Sequence, residues 1–554
     1  MKNTSKSLRI VAAAVLGTVL TALAYYLMLP PINVHSSGFW TFLIMVICFY
    51  GLPMGAVSTI GGAGKGKPKS KSGSQQIKLN KIFLIVAAVP VVVLVLGGIF
   101  SSTFFNAQKY AAVIEVNESD FSADMPEADV VTNISLMDTA SASILGNREL
   151  GALSDVVSQY NVSLDYNQIN YKGTPKKVAN LEYVDFFRWL NNSASGVPGY
   201  VMVDPVGNDA DYVKFDQPMI YVDSAYFGED LMRKLRFSYP TKIFSYVNFE
   251  VDEAGNPYYV VSCMKPRVGL FGAMDVSEVI IFNPCDGTSE IYSVEESPSW
   301  IDNVYDGDLA CEKYDWYGTL SRGFWNSVIG KRDCKMTTQG YGYVVRGDDV
   351  WYYTGVTSVT SDESNIGFIL TNARTGEYKY YPIIGAEEYS AMGAAQGEVQ
   401  EKGYVASFPS LINVEGEATY IMVLKDENGL VKLYALVNVE NYSIVATGDS
   451  QTSAKQAYLE ELAKRGVITE EELPAPETKT AEITVTAVRL ATVGGETVVY
   501  LTAEDGTVYR GALASDESLI LVTEVMSLTV EYAETEHEKI RAIAKWSEKA
   551  QAAE

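Results

Sequence analysis

Acidic residues are absent from the first 104 residues of this chain, although the whole sequence has 68 Asp and Glu against 43 Lys and Arg. The same segment contains nine Lys and Arg and three apolar runs, at residues 10–29, 39–60 and 82–103. Each run has about the 20 residues with which a helix crosses a bilayer. The sequence therefore predicts a three-helix membrane anchor over residues 1–107.

Basic residues are unevenly distributed within this anchor. They lie before the first run and in the Gly/Ser/Lys-rich loop 61–81, whereas the loop 30–38 carries no charge. Because basic loops stay in the cytoplasm, we expect a cytoplasmic N-terminus and an extracytoplasmic chain from about residue 105 onward.

Two other interpretations of the apolar runs remain open. Run 10–29 could be a cleaved signal peptide, because 22–24 resembles a small-residue cleavage site. Pro90 could mark a broken core helix, although membrane helices also tolerate proline.

Histidine is nearly absent, because the chain has only His35 and His537. A Ser-His-Asp triad, a Cys-His pair and a His-rich metal site are therefore excluded from residues 224–448. The formal net charge of −25 repels phosphate backbones, so nucleic acid is excluded as a ligand. We predict no catalytic residue, cofactor or metal ligand.

Cysteine is scarce, with five in 554 residues. Cys48 lies in an apolar run, and the other four lie in the exterior part, which fits an oxidising compartment. The preferred disulfide pairs are Cys263–Cys285 and Cys311–Cys334, because each pair encloses one local segment. Four free thiols are one alternative, and a zinc site is another, although the chain has no CxxC spacing and no nearby histidine.

The exterior part is predicted to be α+β. In a first α+β region, 108–223, Asp138 is expected to cap a helix over 139–145 that Gly146 would end. From residue 224 onward, one helix followed by an antiparallel meander recurs in 224–295, 296–383 and 384–448. A helix that covers one face of a meander is a self-contained unit. In each copy an asparagine ends the third strand, where an Asx turn starts easily. These residues are Asn283, Asn372 and Asn438.

The end of the chain has a different pattern. Residues 449–478 read as a helical linker with a stiff Pro474-Ala475-Pro476 stretch. Five short period-2 strands follow within 479–554, at 483–490, 496–502, 507–512, 519–522 and 527–532, and 540–546 is either a sixth strand or a terminal helix. The Asp505-Gly506 pair predicts a hairpin turn. This spacing predicts a small, closed, OB-like β-barrel.

Four stretches of sequence resemble two known families. "AMGAAQGEVQEKGY" (391–404), followed by "LYALVNVENYSIV", resembles the PepSY-type module. "VSQYNVSLDYNQINYKG" (157–173) and "LEYVDFFRWLNN" (181–192) resemble a family of uncharacterised membrane-anchored extracytoplasmic proteins from Gram-positive anaerobes. The PepSY likeness implies binding or inhibition of extracytoplasmic peptidases, with no catalytic group to transfer.

Three carboxylate pairs could serve acid/base chemistry on a glycoside. With so many acids, we interpret them instead as parts of a solvated face. The pairs are Glu295-Glu296, Asp348-Asp349 and Glu387-Glu388.

Two further motifs have a simpler explanation than binding. One group of oxygen ligands could hold Ca²⁺, but it lacks the Gly and Glu of an EF-hand, so we interpret it as a polar turn. Arg346-Gly347-Asp348 is an RGD tripeptide, which turn chemistry explains. The oxygen ligands are Asp204, Asn208, Asp209 and Asp211.

The sequence thus predicts a non-enzymatic cell-surface protein that binds or scaffolds an extracytoplasmic or membrane protein. A peptidase is one candidate for this partner. The sequence is also compatible with a homo-oligomer. The alternative is an envelope hydrolase that uses paired carboxylates. An enzyme should collect two or more shifted carboxylates in a concave pocket, whereas a scaffold should disperse its acids.

Overall fold

The chain folds into two compact units, Met1–Lys464 and Arg465–Glu554. A computed structural model describes residues 2–60, 70–125, 127, 136–207, 209–469, 479–493, 496–534 and 539–548. The predicted mixed α+β class is confirmed. Four sequence features lie outside the described residues. They are part of the Lys-rich loop (61–69), Asn208, the stretch 474–476 and His537.

Each of the three apolar runs is helical. Among the described helices, one is long and apolar enough to cross a bilayer, over Ile10–Met28. A second candidate bends by 51° between Ile85–Ser101 and the next helix, and the apolar part of a third, Ser37–Pro53, is shorter. Pro90 lies within its helix without ending it. These helices are α1 (Lys2–Met28), α2 (Ser37–Ile60), α3 (Ser70–Ser101) and α4 (Thr103–Ala111).

The other helices of the first unit are short and cover the sheets. Asp138 caps the second of them as expected, since its carboxylate accepts the Ser141 N–H at 2.8 Å. Gly146, by contrast, lies inside this helix and does not end it. A Cβ there would lie 2.1 Å from the Tyr166 hydroxyl, so the close approach of Tyr166 favours glycine at this position. The helices are α5 (Phe121–Asp124), α6 (Thr139–Gly151), α7 (Ser154–Val157), α8 (Phe186–Asn192), α9 (Leu231–Ser238), α10 (Gly307–Leu320), α11 (Glu388–Glu398) and α12 (Gln451–Lys464).

Two antiparallel sheets form the first half of the α+β region. The chain enters this region through β1 (Val116–Glu118), which joins a later sheet. The first sheet has five strands and the second is a four-stranded meander. The five are β2 (Tyr160–Val162), β3 (Asn167–Tyr171), β4 (Thr174–Tyr183), β5 (Val197–Asp204) and β6 (Asp209–Met219). The four are β7 (Ile243–Val251), β8 (Pro257–Val268), β9 (Gly272–Phe282) and β10 (Ser289–Ser293).

Two more sheets form the second half. In the first of them, β1 pairs in parallel with a strand about 260 residues later. This sheet contains β11 (Lys335–Thr337), β12 (Gly342–Arg346), β13 (Asp349–Ser358), β14 (Ser361–Asn372), β15 (Tyr378–Tyr381) and β16 (Gly385–Ala386). The last sheet contains β17 (Val405–Ala406), β18 (Ser410–Val414), β19 (Glu417–Lys425), β20 (Val431–Asn438) and β21 (Val445–Gly448).

The three expected Asx turns are present at Asn283, Asn372 and Asn438, whose side-chain oxygens accept backbone N–H groups two or three residues later. The three repeat segments are not self-contained, however, because they share hydrophobic cores. Tyr305 of the second segment packs in one core with Val260 of the first, and Phe368 of the second packs in another core with Tyr420 of the third. One short helix covers only part of one sheet face, so the other face needs a neighbouring element.

The second unit is a closed five-stranded barrel, as predicted. Its strand order is β22-β23-β24-β26-β25, and β24 and β26 are parallel. The predicted strand 519–522 is wrong, because Leu519 lies in the 3₁₀ helix Glu517–Leu521 and packs into the barrel core. The strands are β22 (Lys479–Val493), β23 (Glu496–Ala503), β24 (Val508–Ala512), β25 (Ser527–Glu534) and β26 (Ile540–Glu548).

Candidate functional site beside the anchor

The loop between α1 and α2 is bonded to the α+β region. The backbone N–H of Ile32 donates to the Pro240 carbonyl at 2.7 Å. Arg236, which is 5% exposed, donates from Nε to the Leu29 carbonyl at 2.9 Å. Its guanidinium also stacks on the Phe244 ring at 4.3 Å. The end of α1 is therefore fixed against α9 and β7.

The end of α3 is bonded to the same region, through the β8–β9 turn. The Ser101 hydroxyl accepts the backbone N–H groups of Leu270 and Phe271, at 2.7 and 3.1 Å. His35 Nδ1 lies 3.0 Å from the Leu270 carbonyl. At Gly272 a Cβ would lie 2.4 Å from the Ser101 carbonyl, so only glycine fits here. One hairpin tip thus contacts both the α1–α2 loop and the end of α3.

Aromatic side chains are exposed on the α3 side of this contact. The connection between α10 and β11, residues 323–332, contains a π-helical turn at Asn326–Gly330 and is here called the α10–β11 loop. Its Phe324 and Trp325 rings lie 5.0 and 5.9 Å from the ring of Phe104, three residues beyond Ser101. Trp325 is 64% exposed and Ile329 is 73% exposed. This segment is an apolar surface that the described residues leave uncovered.

A second aromatic group lies on the α1 side. The Phe237 ring is 5.9 Å from Tyr25, and the Arg233 guanidinium lies 4.3 Å from the centre of the Tyr26 ring. Arg233 also donates to the Phe227 carbonyl at 2.6 Å. Phe237 and Phe227 are both more than half exposed. Aromatic rings therefore surround the anchor contact on two sides.

The predicted disulfides are absent. All five cysteines are free thiols. Cys263 Sγ is directed at the Val261 carbonyl, 3.9 Å away, whereas Cys285 Sγ contacts the Gln217 carbonyl at 3.0 Å. Burial raises the pKa of Cys263 to about 12 and that of Cys285 to about 11.

Cys311 and Cys334 also have separate environments. Cys334 Sγ lies 3.6 Å from the Thr319 carbonyl, and burial raises the pKa of Cys311 to about 12. Pairing by sequence proximity fails because neighbouring elements direct the four thiols to different contacts. No group of three or more His, Cys, Asp or Glu suited to a metal occurs among the described residues.

The three carboxylate pairs do not form a common site. Glu295 and Glu296 are exposed. Asp349, which was expected on a solvated turn, instead accepts two bonds from Arg374, at 2.7 and 3.0 Å. Glu388 is fully buried and accepts the Gly355 N–H at 2.6 Å. Burial raises its pKa.

The possible Ca²⁺ group is a polar turn, as we interpreted it. Asp204 accepts the N–H groups of Val206 and Gly207 and is paired with Lys176 at 2.8 Å, so a cation already occupies its carboxylate. Asp209 Oδ1 accepts the Ala210 N–H.

The RGD tripeptide is also a turn. Gly347 has a φ of +61°. Arg346 is held by Asp124 at 3.4 Å and by the Tyr381 hydroxyl at 3.2 Å. Its guanidinium is thus occupied within the fold.

Sequence reasoning missed one buried acid pair. Glu250 accepts the backbone N–H groups of Asp302 and Asn303, at 2.9 and 2.8 Å. Asp302 in turn accepts the Asn170 N–H at 2.7 Å. Burial raises the pKa of Glu250 to about 7 and that of Asp302 well above its ordinary value. Residues 302–303 cover Glu250 in the fold, and nothing in the local sequence of β7 indicates this burial.

Among the surface cavities of the described residues, four have volumes of 240 to 520 Å³. None of them is lined by a carboxylate whose pKa is raised. Comparison with protein-family models and with curated proteins found no match.

Proposed function

We propose that this chain is a three-span membrane protein whose extracytoplasmic part binds or scaffolds other proteins of the cell envelope and is not an enzyme. The observation that carries the proposal is that one hairpin tip, at Leu270 and Phe271, contacts both the α1–α2 loop and the end of α3. In a three-span protein, the α1–α2 loop and the end of α3 would both lie on the outer side of the membrane, where one hairpin tip could contact both.

The charges of the anchor support this orientation. Its basic residues lie in the first third of α1, at Lys2, Lys6 and Arg9, or in 61–81, before the apolar part of α3. The hairpin tip contacts the loop after α1 and the end of α3, which are the other ends of these helices. Retention of basic loops in the cytoplasm then leaves the α+β region and the barrel outside.

The two units suit a binding role. The repeated helix and meander pattern supports PepSY-like modules, which would bind an envelope protein, and a peptidase is one candidate. The barrel order, with parallel third and fifth strands and a 3₁₀ helix after the third, supports an OB-like fold. Such barrels often bind oligomers, but this acidic chain disfavours nucleic acid.

The acids support binding over hydrolysis. A carboxylate enzyme needs two carboxyl groups that reach one substrate bond. Here Asp349 is neutralised by Arg374, and Glu388 is buried beneath Gly355. The carboxyl groups whose pKa is raised line none of these four cavities.

Protease treatment of intact cells tests the orientation. With epitope tags in 61–81 and at the C-terminus, we expect the C-terminal tag to be removed and the loop tag to be kept. Lysed cells serve as the control, because both tags should then be cleaved. Cleavage of the loop tag in sealed cells would refute the proposed topology.

Cross-linking and capture of the full chain test the binding role. We expect one or more envelope proteins to be recovered with the full chain and to be reduced with a chain truncated after Pro476. A D348A variant is the matched control, because this exposed turn residue should leave recovery unchanged. The proposal would be contradicted if the truncated chain kept its full cellular function. It would also be contradicted if D348A lost that function while the capture of partners was unchanged.

A further inference from the structure

The α10–β11 loop exposes three apolar side chains in a row of five residues. Trp325 is 64% exposed, Val328 53% and Ile329 73%. Single exposed apolar residues are ordinary on protein surfaces, but a contiguous group marks an interaction site.

Hydrogen bonds fix the backbone of this loop. The Asn326 carbonyl accepts the Lys331 N–H at 2.6 Å, and Asn326 Nδ2 donates to the Arg332 carbonyl at 2.9 Å. Asn326 Oδ1 accepts the Arg332 N–H at 3.2 Å. The apolar side chains are thus held outward in a preformed arrangement, which lowers the cost of binding.

The loop lies at the end of α3. The Phe104 ring, just beyond Ser101, contacts Phe324 and Trp325 edge-on. Phe105 is 56% exposed and continues the apolar surface from the helix to the loop. If α3 crosses the bilayer, this surface lies at the depth of the lipid headgroups, where Trp is enriched.

The charge of this segment differs from that of the rest of the exterior chain. Residues 321–332 contain Arg322, Lys331 and Arg332 and no acid. Arg322 is paired with Asp333, which leaves Lys331 and Arg332 exposed beside the apolar side chains. Apolar side chains flanked by basic ones are typical of segments that bind at the interface of anionic membranes.

We propose that the α10–β11 loop inserts Trp325, Val328 and Ile329 into the outer leaflet beside α3, and that Lys331 and Arg332 bind anionic lipid headgroups. This inference rests on the proposed function, because it requires α3 to cross the membrane. Through this second contact the α+β region would be held against the bilayer, in addition to its hydrogen bonds with the anchor.

Quenching of tryptophan fluorescence in nanodiscs with brominated acyl chains tests the proposal on the full chain. The difference between the wild type and W325F isolates the signal of Trp325, and W40F isolates that of Trp40 at the start of α2. In discs with anionic phosphatidylglycerol we expect roughly twofold or greater quenching of the Trp325 signal. K331E/R332E should reduce that quenching, while K402E, at an exposed lysine elsewhere, should not.

Two results would overturn the inference in distinguishable ways. Quenching of Trp40 without quenching of Trp325 would place the anchor in the bilayer and the loop outside it, so only this inference would fail. Absence of quenching at both tryptophans would remove the anchor from the bilayer and refute the proposed function as well. A Trp325 signal quenched equally in K331E/R332E would overturn the role of the two basic residues.

Discussion

At the residue scale, the buried Glu250 and Asp302 make stability depend on pH. Burial raises the pKa of Glu250 from 4.5 to about 7, so the folded chain holds this proton more tightly than the unfolded chain. The contribution is fully present below about pH 4.5 and is lost as the pH rises through about 7. Asp302 adds to this effect in the same direction.

We therefore predict that D302N reduces the pH dependence of unfolding. The amide oxygen can still accept the Asn170 N–H, while the buried charge is removed. Between about pH 5 and pH 8 the wild type should lose roughly 1–3 kcal/mol more stability than the variant. Thermal unfolding of the full chain in detergent measures this loss, with D348N as the exposed control. An identical pH profile for D302N and the wild type would contradict the prediction.

Asp348 and Asp349 provide a second pair of matched variants. Asp349 neutralises Arg374 and accepts a bond from Asn372 at 2.8 Å, whereas Asp348 is exposed. D349A should cost roughly 1–3 kcal/mol because it leaves the guanidinium without its partner. D348A should change stability by less than about 0.5 kcal/mol. Urea unfolding measures both, and equal effects would count against this assignment.

At the element scale, the β8–β9 turn fixes the α+β region to α3. Ser101 accepts two N–H groups from this turn, so S101A should leave both donors unpaired and cost roughly 1–3 kcal/mol. S102A is the control, because the hydroxyl of Ser102, between α3 and α4, donates to the nearby Ile99 carbonyl of α3. Thermal unfolding in detergent compares the two variants. A smaller loss for S101A than for S102A would refute the role of the turn.

Elements with local signals were predictable from the sequence. Asp138 as a cap, the Asx turn at Asn438 and the Asp505-Gly506 turn each depend on residues a few positions apart. The failures have non-local causes. Gly146 is a glycine because the Tyr166 hydroxyl approaches it closely, and not because a helix ends there. Glu250 is buried because residues 302–303 cover its strand.

The candidate site was less predictable than the fold. The three N-terminal helices were predicted from their composition, but their contacts with Arg236 and Leu270 join residues about 170 to 210 positions apart. Neither side of such a contact carries a periodic signal. The α10–β11 loop was missed because its ten residues mix apolar, polar and basic side chains, and such a mixture resembles an ordinary loop until the exposure of each side chain is known.

At the scale of the whole molecule, the two compact units should unfold independently. Leu501 is fully buried in the barrel, and Leu436 is fully buried in the first unit. L501A should reduce the free energy of unfolding of the barrel alone, and L436A that of the first unit alone, each by about 2–5 kcal/mol. Calorimetry of the full chain in detergent resolves the two transitions. A shift of both transitions by either variant would contradict independence.

The parallel pairing of β1 with β15 has a consequence for synthesis. Val116 is the partner of Tyr378, so the first strand beyond the anchor finds its neighbour only after about 260 further residues have been made. Closing so long a loop is slow relative to forming a hairpin. We therefore expect β1 to be among the last strands to join its sheet, so that a newly made chain passes through a state in which the third sheet lacks its edge strand.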